Sequence, residues 1–157
     1  FKLEQKIADE KHRIAMVSCV ATEYENVEVS TLEIDGPEVS YTYETMKKIQ
    51  EKRPEDDLHF IMGSDSLLTL ESWYMGEELL RDFSFILAPR PGYDSTKMKE
   101  KKNAVKKKYG TEIRVLHNKL RDISSTEIKE TIKAGKEIGH LVPTKVAEYI
   151  HEHGLYL

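Results

Sequence analysis

Apolar positions recur along this chain at two spacings, and the two predict different elements. Between residues 5 and 23, Ile7, Ile14, Val17 and Ala21 fall at helical intervals with Lys and Glu between them. "VEVSTLEI" (27–34) reads as a strand, closed by the turn pair Gly36–Pro37. A helix from about Thr42 to Arg53 follows and Pro54 stops it, because proline cannot continue the hydrogen-bond ladder. "LHFIMG" (58–63) and "SFILAP" (84–89) are short, nearly continuous apolar runs, the pattern of strands covered on both faces. Between them, "SDSLLTLESW" and "GEELLRDF" carry helical patterns. A lysine-rich helix over roughly 95–109 precedes the strand "EIRVLHN" (112–118). "DISSTEIKETIKAG" (122–135) opens another helix, and a last one runs from Pro143 to His153 with Gly154 in the stop position. Strands alternating with helices predict βαβ units, an α/β fold with a mainly parallel sheet, and ligands gathered at the carboxyl ends of its strands.

At 157 residues the chain has one domain's worth of sequence, enough to bury a core without staples. Its 39% hydrophobic and 33% charged residues, with a mean hydropathy of -0.56, fit a soluble globular protein. A net charge of -4 argues against coating nucleic acid or an anionic membrane, so any polyanionic small ligand must be held by local donors. The single cysteine, Cys19, forms no internal disulfide and suits a reducing compartment. With no apolar stretch of membrane-spanning length, the cytoplasm is the expected location. The seven lysines between Lys97 and Lys108 surround a narrow stripe of Met98, Val105 and Tyr109, which predicts a solvated face. The six histidines show no metal-ligand spacing.

The polar groups at strand ends carry the candidate chemistry. Gly63 closes a strand where a ligand can approach the backbone, and Asp65 either caps the next helix or accepts from a ribose hydroxyl. "SYT" (40–42) precedes a helix whose first N–H groups are donors. Trp73 is either core or a platform for a flat ring, and Arg90 either meets a phosphate or makes a surface ion pair. Ser124 with Glu127 three residues on fits a capping box, while Ser124, Ser125 and Thr126 together fit an anion site at the helix mouth.

The segments "EKHRIAMV", "SYT", "FIMGSDSLLTLESWY", "LAPRPGY", "ISSTEIK" and "LVPTKVAEYIHEHGLY", in that order over nearly the whole chain, resemble the bacterial nicotinate-nucleotide adenylyltransferases. The resemblance implies a Rossmann-like nucleotidyltransferase fold, with helices on both faces of the sheet, in a single domain over residues 1–157. It also implies adenylyl transfer from ATP to nicotinate mononucleotide in NAD biosynthesis. By the same resemblance, the backbone amides of Thr42 and Tyr74 receive the nicotinate carboxylate, in the "SYT" segment that includes Tyr41, and Trp73 stacks on the pyridine ring. Arg90 lies near the mononucleotide phosphate or the new pyrophosphate bridge. Gly63 and Asp65 contact the adenosine ribose, and Ser124, Ser125 and Thr126 hold ATP phosphates with Lys129 behind them. The family usually has arginine at that last position, so bidentate phosphate binding is not expected of Lys129. Magnesium is expected with ATP, held by phosphates and water and not by protein ligands.

The family also opens with a strand, a glycine-rich turn and a helix bearing H-x-G-H. No residues here match that motif, and the chain starts at Phe1, so the domain is expected to be N-terminally incomplete and its catalytic residues are unassigned. Two other readings stay open: a nucleotide-binding module without catalysis, and a related enzyme with another acceptor such as phosphopantetheine. The adjacent aromatics Trp73 and Tyr74 argue against the second. A homo-oligomer is left open.

Overall fold

The computed structural model describes residues 8–36, 39–89, 92, 94–117 and 123–157. In chain order the elements are α1 (Glu10–Ala21), α2 (Thr42–Lys52), β1 (His59–Gly63), α3 (Ser64–Thr69), a 3-10 turn (Leu70–Ser72), α4 (Gly76–Asp82), β2 (Ser84–Ala88), α5 (Ser95–Tyr109), β3 (Ile113–Val115), α6 (Ser125–Lys133) and α7 (Thr144–Glu152). They fall into two units, one formed by Phe1–Gly36 with Ile123–Leu157 and the other by Pro37–Asp122.

The second unit holds a parallel sheet in the order β1-β2-β3. Its register pairs Phe60 with Phe85 and Met62 with Leu87, then Phe85 with Ile113 and Leu87 with Val115. Side chains alternate across a strand, so Phe60, Met62, Phe85, Leu87, Ile113 and Val115 share one face. That face meets Leu67 and Leu70, Leu79 and Leu80, and Met98 and Val105, and together they make the unit's core. The opposite face carries Ile61, which is 64% exposed. The apolar run of β1 is therefore covered on one side in this unit, whereas full cover was expected. A continuous run cannot distinguish the two cases, because it carries no alternation to mark the open face.

Helix boundaries follow their local chemistry. α2 begins where Tyr41 is still extended and ends at Lys52, with Arg53 as its cap before Pro54. The Gln50 amide then donates to the carbonyls of Arg53, Pro54 and Asp56 at 3.1, 3.2 and 3.3 Å, tying off the helix end. Asp94 caps α5 by accepting from the amides of Thr96 and Lys97, and Gly110 stops it at φ +77°. The predicted stripe of Met98 and Val105 is buried, with Tyr109 half-buried beside it.

In the first unit, Ile132, Ile138, Val146 and Ile150 form a core packed by Met16, Cys19 and Val20 of α1. Of the expected α1 stripe, Ala21 is buried but Val17 is 54% exposed, and Ile7 lies outside the described residues. α1 thus turns its Met16–Cys19–Val20 face inward. His12 and the Tyr149 hydroxyl, 2.9 Å apart, link α1 to α7, and His153 stacks on Tyr149 with centroids 4.0 Å apart. The expected strand over 27–34 does not form. Val27 is exposed, and the segment ends in a turn where the amides of Ile34 and Asp35 donate to the Thr31 carbonyl. The Thr31 hydroxyl also donates to the Asp35 carboxylate at 2.6 Å. The side chain and backbone satisfy each other locally there, in place of a ladder.

Candidate active site

Of the second unit's predicted residues, Gly63 and Asp65 stand at the carboxyl end of β1. Gly63 ends the strand and, still extended, precedes α3; Ser64 behind it is fully buried and Asp65 is exposed in the helix's first turn. The 3-10 turn then brings the chain to Trp73, whose ring packs edge-on against Phe60 of β1 at 6.2 Å and 81°. The Trp73 indole N–H donates to the Thr69 hydroxyl at 3.2 Å. Trp73 is half-buried against the core, so it is a fixed ring with part of its surface left open.

Tyr74 reaches a different partner. Its ring lies 4.3 Å from that of Tyr41, tilted by 31°, and both are exposed. That contact brings the N-terminus of α2 to the segment following the 3-10 turn. α2 has no side-chain cap, and among the described residues the amides of Thr42 and Tyr74 enter no backbone hydrogen bond. Two amides without backbone partners, carried on adjoining segments, are donors suited to a carboxylate.

A charged cluster that sequence reading missed anchors this segment. The half-buried Glu71 carboxylate accepts from Lys101, from Lys108 at 3.1 Å and from the Tyr109 hydroxyl at 2.7 Å. Its pKa is held down at about 2, first by the Lys101 hydrogen bond and then by those of Tyr109 and Lys108. Burial, followed by the bonds to the carboxylates of Glu71 and Glu77, pushes the Tyr109 hydroxyl up. Lys101, its side chain 23% exposed, therefore leaves the solvated face expected of the α5 lysines, while Lys108 stays exposed on it, and the two pin the turn that carries Trp73. The groups lie 30 to 38 positions apart in sequence, so only the fold pairs them.

The hydroxyl cluster belongs to the first unit. Ser124 is extended, and its Oγ accepts from the Glu127 amide at 3.1 Å, so the capping reading holds. The helical ladder begins with the Ile128 amide donating to the Ser124 carbonyl. Ahead of it, the Ser125 and Thr126 amides make no hydrogen bond among the described residues, and both side chains are exposed. Lys129, one turn on, is half-buried, with its ammonium 5.5 Å from the centre of the Tyr156 ring. Arg90 lies outside the described residues. A groove of about 860 Å³ in the same unit is lined by residues such as Gly135, Ile138, Ala147 and His151, and contains none of the predicted site residues.

The chain belongs to the cytidylyltransferase-like family, whose pattern matches residues 1–131. Among its relatives, it is 35% identical over 156 residues to the probable nicotinate-nucleotide adenylyltransferase of Thermoanaerobacter sp. (strain X514), covering 99% of this chain and 74% of that protein. It is likewise 35% identical over 156 residues to the protein of that name from Clostridium botulinum (strain Kyoto / Type A2), covering 99% and 78%. In fold it is similar to Plasmodium falciparum nicotinic acid mononucleotide adenylyltransferase complexed with NaAD, with a TM-score of 0.71 at 20% identity over 98% of this chain and 77% of that one. The same enzyme complexed with APC also gives 0.71, over 96% of this chain. The Rossmann-like nucleotidyltransferase fold implied by the motifs is the fold found.

Proposed function

We infer that this chain serves adenylyl transfer from ATP to nicotinate mononucleotide, a reaction that yields deamido-NAD and pyrophosphate. The observation that carries the acceptor assignment is the contact of Tyr41 with Tyr74, which adjoins the Thr42 and Tyr74 amides next to the fixed Trp73 ring. In this reading the two amides take the nicotinate carboxylate and Trp73 stacks on the pyridine. Nicotinamide mononucleotide is disfavoured because its NH₂ is itself a donor and would face donors. Gly63 and Asp65 contact the adenosine ribose. Ser124, Ser125 and Thr126 receive phosphate at the start of α6, where the amides and the helix dipole favour an anion. Lys129 adds a point charge, and Arg90 is assigned to the mononucleotide phosphate.

The chemistry asks little of a proton acceptor. A phosphate oxygen of the mononucleotide, already anionic at neutral pH, attacks the α-phosphorus of ATP. A new P–O bond forms as the bond to the departing pyrophosphate breaks. The protein's contribution is to hold two anions in line and to neutralise charge as it moves to the leaving group. Magnesium enters with ATP as part of the substrate. No trio of His, Cys, Asp or Glu side chains converges among the described residues, and phosphate oxygens and water are the ligands this reading gives the ion. Among those residues no helix is long and apolar enough to cross a membrane.

Competition binding with nicotinate mononucleotide, nicotinamide mononucleotide and phosphopantetheine tests the acceptor. The acid should bind tightest. Equal binding of the amide would refute the assignment to the Thr42 and Tyr74 amides, and preference for phosphopantetheine would replace the acceptor. Trp73→Ala should weaken the mononucleotide by about tenfold or more, the effect of losing one stacked ring, and ATP far less. Equal loss of both would return Trp73 to a packing role.

A further inference from the structure

We propose that Tyr156 is a positioning residue for Lys129, holding its ammonium at the mouth of α6 in readiness for the phosphates of ATP. The proposal rests on the phosphate reading of α6 given above and extends it to the chain's final turn. Lys129 is the fifth residue of α6, and helical side chains slant toward the N-terminus, so its stem leans toward Ser125 and Thr126. Among the described residues no carboxylate lies within ion-pair distance of it; the partner of its ammonium is the Tyr156 ring, centred 5.5 Å away. An aromatic face attracts a cation without neutralising it, which leaves the full charge for an incoming anion. A carboxylate in the same place would cancel that charge.

The backbone at Tyr156 shows what places the ring there. Its φ is +67°, in the left-handed region that a bulky side chain normally avoids. Such a conformation persists only where the surroundings over-determine it. Here Gly154, itself at φ +57°, donates its amide to the His151 carbonyl, and the Leu155 amide donates to the Ile150 carbonyl at 3.0 Å. The tail is thereby turned back onto the core of Ile132, Val146 and Ile150, where Tyr156 packs. Lysine has the most rotamer freedom to lose on binding, so a ring that restricts it beforehand raises affinity for the anion.

Titration calorimetry of ATP and of adenosine against the unaltered chain, Lys129→Met, Tyr156→Leu, Tyr156→Phe and the Lys129→Met/Tyr156→Leu double variant provides the test. Lys129→Met should weaken ATP about tenfold and Tyr156→Leu about threefold to fivefold, as losses of an ion contact and of an exposed cation–π contact. Tyr156→Phe should restore ATP binding, and the double variant should be no weaker than Lys129→Met alone. Adenosine, which lacks phosphate, should bind alike throughout. If Tyr156→Leu does not fold, Tyr156→Asn, which tolerates positive φ, makes the same comparison without the ring. Weakening by Lys129→Met with none by the ring-less variants overturns this inference alone. No effect of Lys129→Met, or no ATP binding by the unaltered chain, overturns the phosphate reading and the inference with it. Weakening of adenosine by the ring-less variants, or further loss in the Lys129→Met background, reduces Tyr156 to a structural role.

Discussion

Replacing Gly76 by alanine should destabilise the protein, although the same change at the start of a helix ordinarily helps. Gly76 is the first residue of α4 and is buried against the 3-10 turn. A Cβ there would stand 2.3 Å from the Leu70 carbonyl oxygen and 3.0 Å from that of Glu71. Both obstacles are backbone and cannot swing away as a side chain would. Relief requires the 70–76 segment to open by roughly 1 Å, against the bond from the Gly76 amide to the Trp73 carbonyl at 2.9 Å. Overpacking of this kind costs about 2–3 kcal/mol, well above the gain of about 0.4–1 kcal/mol expected from a less flexible unfolded chain. For a chain of this size that is a fall of roughly 5–10 °C in Tm. Gly139→Ala is the matched control: nothing lies within 4 Å of its added Cβ and its φ is not positive, so it should be neutral or slightly stabilising. Urea and thermal unfolding of both variants give the comparison. The opening would also displace Trp73 and Tyr74, so nicotinate mononucleotide should bind more weakly in Gly76→Ala at temperatures where it is fully folded. A Gly76→Ala variant as stable as Gly139→Ala would refute the reasoning, because it would mean that the two backbone segments are not in contact.

Two further substitutions probe the anchoring charge cluster and the helix mouth. Glu71 titrates near 2 in the folded chain against an ordinary 4.5, so its contribution is fully present above pH 4.5 and is lost as pH falls toward 2. With the side chain 31% exposed, solvent screening reduces that contribution to about 1–2 kcal/mol. Acid unfolding of Glu71→Gln should therefore show a deficit near neutrality that shrinks between pH 4.5 and 2; a deficit independent of pH would deny the carboxylate its role. Ser124→Ala removes the acceptor for the Glu127 amide and should cost about 1 kcal/mol of stability in urea, with ATP affinity falling as well. Unchanged affinity would separate the cap from the phosphate site.

What the sequence made legible was whatever depends on near neighbours. The runs "FIMG" and "FILA" gave β1 and β2, Pro54 ended α2, and Ser124 with Glu127 marked the start of α6. These signals are local, because a cap, a proline or an apolar run acts within one turn or one strand. The failures in the fold involve partners distant in sequence. "VEVSTLEI" has strand-forming residues, but a strand exists only in a ladder, and the segment closes on Thr31 and Asp35 instead. Val17 sat at a plausible interval, yet the packing of α1 selected Met16, Cys19 and Val20. The candidate site divides in the same way. Tyr41, Thr42, Trp73 and Tyr74 could be named from their motifs, whereas the Glu71 cluster could not, its lysines and tyrosine lying 30 or more positions away. Tyr156 was hidden for another reason: its role depends on a backbone conformation that its residue type does not advertise.

The parallel register of β1 and β2 also acts as a ruler. Gly63 lies opposite Ala88, so the two strands release their chains at the same height, one into α3 and the other into Pro89. A slip of one residue would turn Phe85 and Leu87 from the core to the open face and is prohibited by burial. The smallest slip that preserves the faces is two residues, about 6.6 Å. That is twice the reach of a hydrogen bond, so the apolar residues of β2 also fix where the chain leaves the sheet at Ala88. Core substitutions at Phe85 or Leu87 that weaken this burial should for that reason loosen the height at which the chain leaves β2.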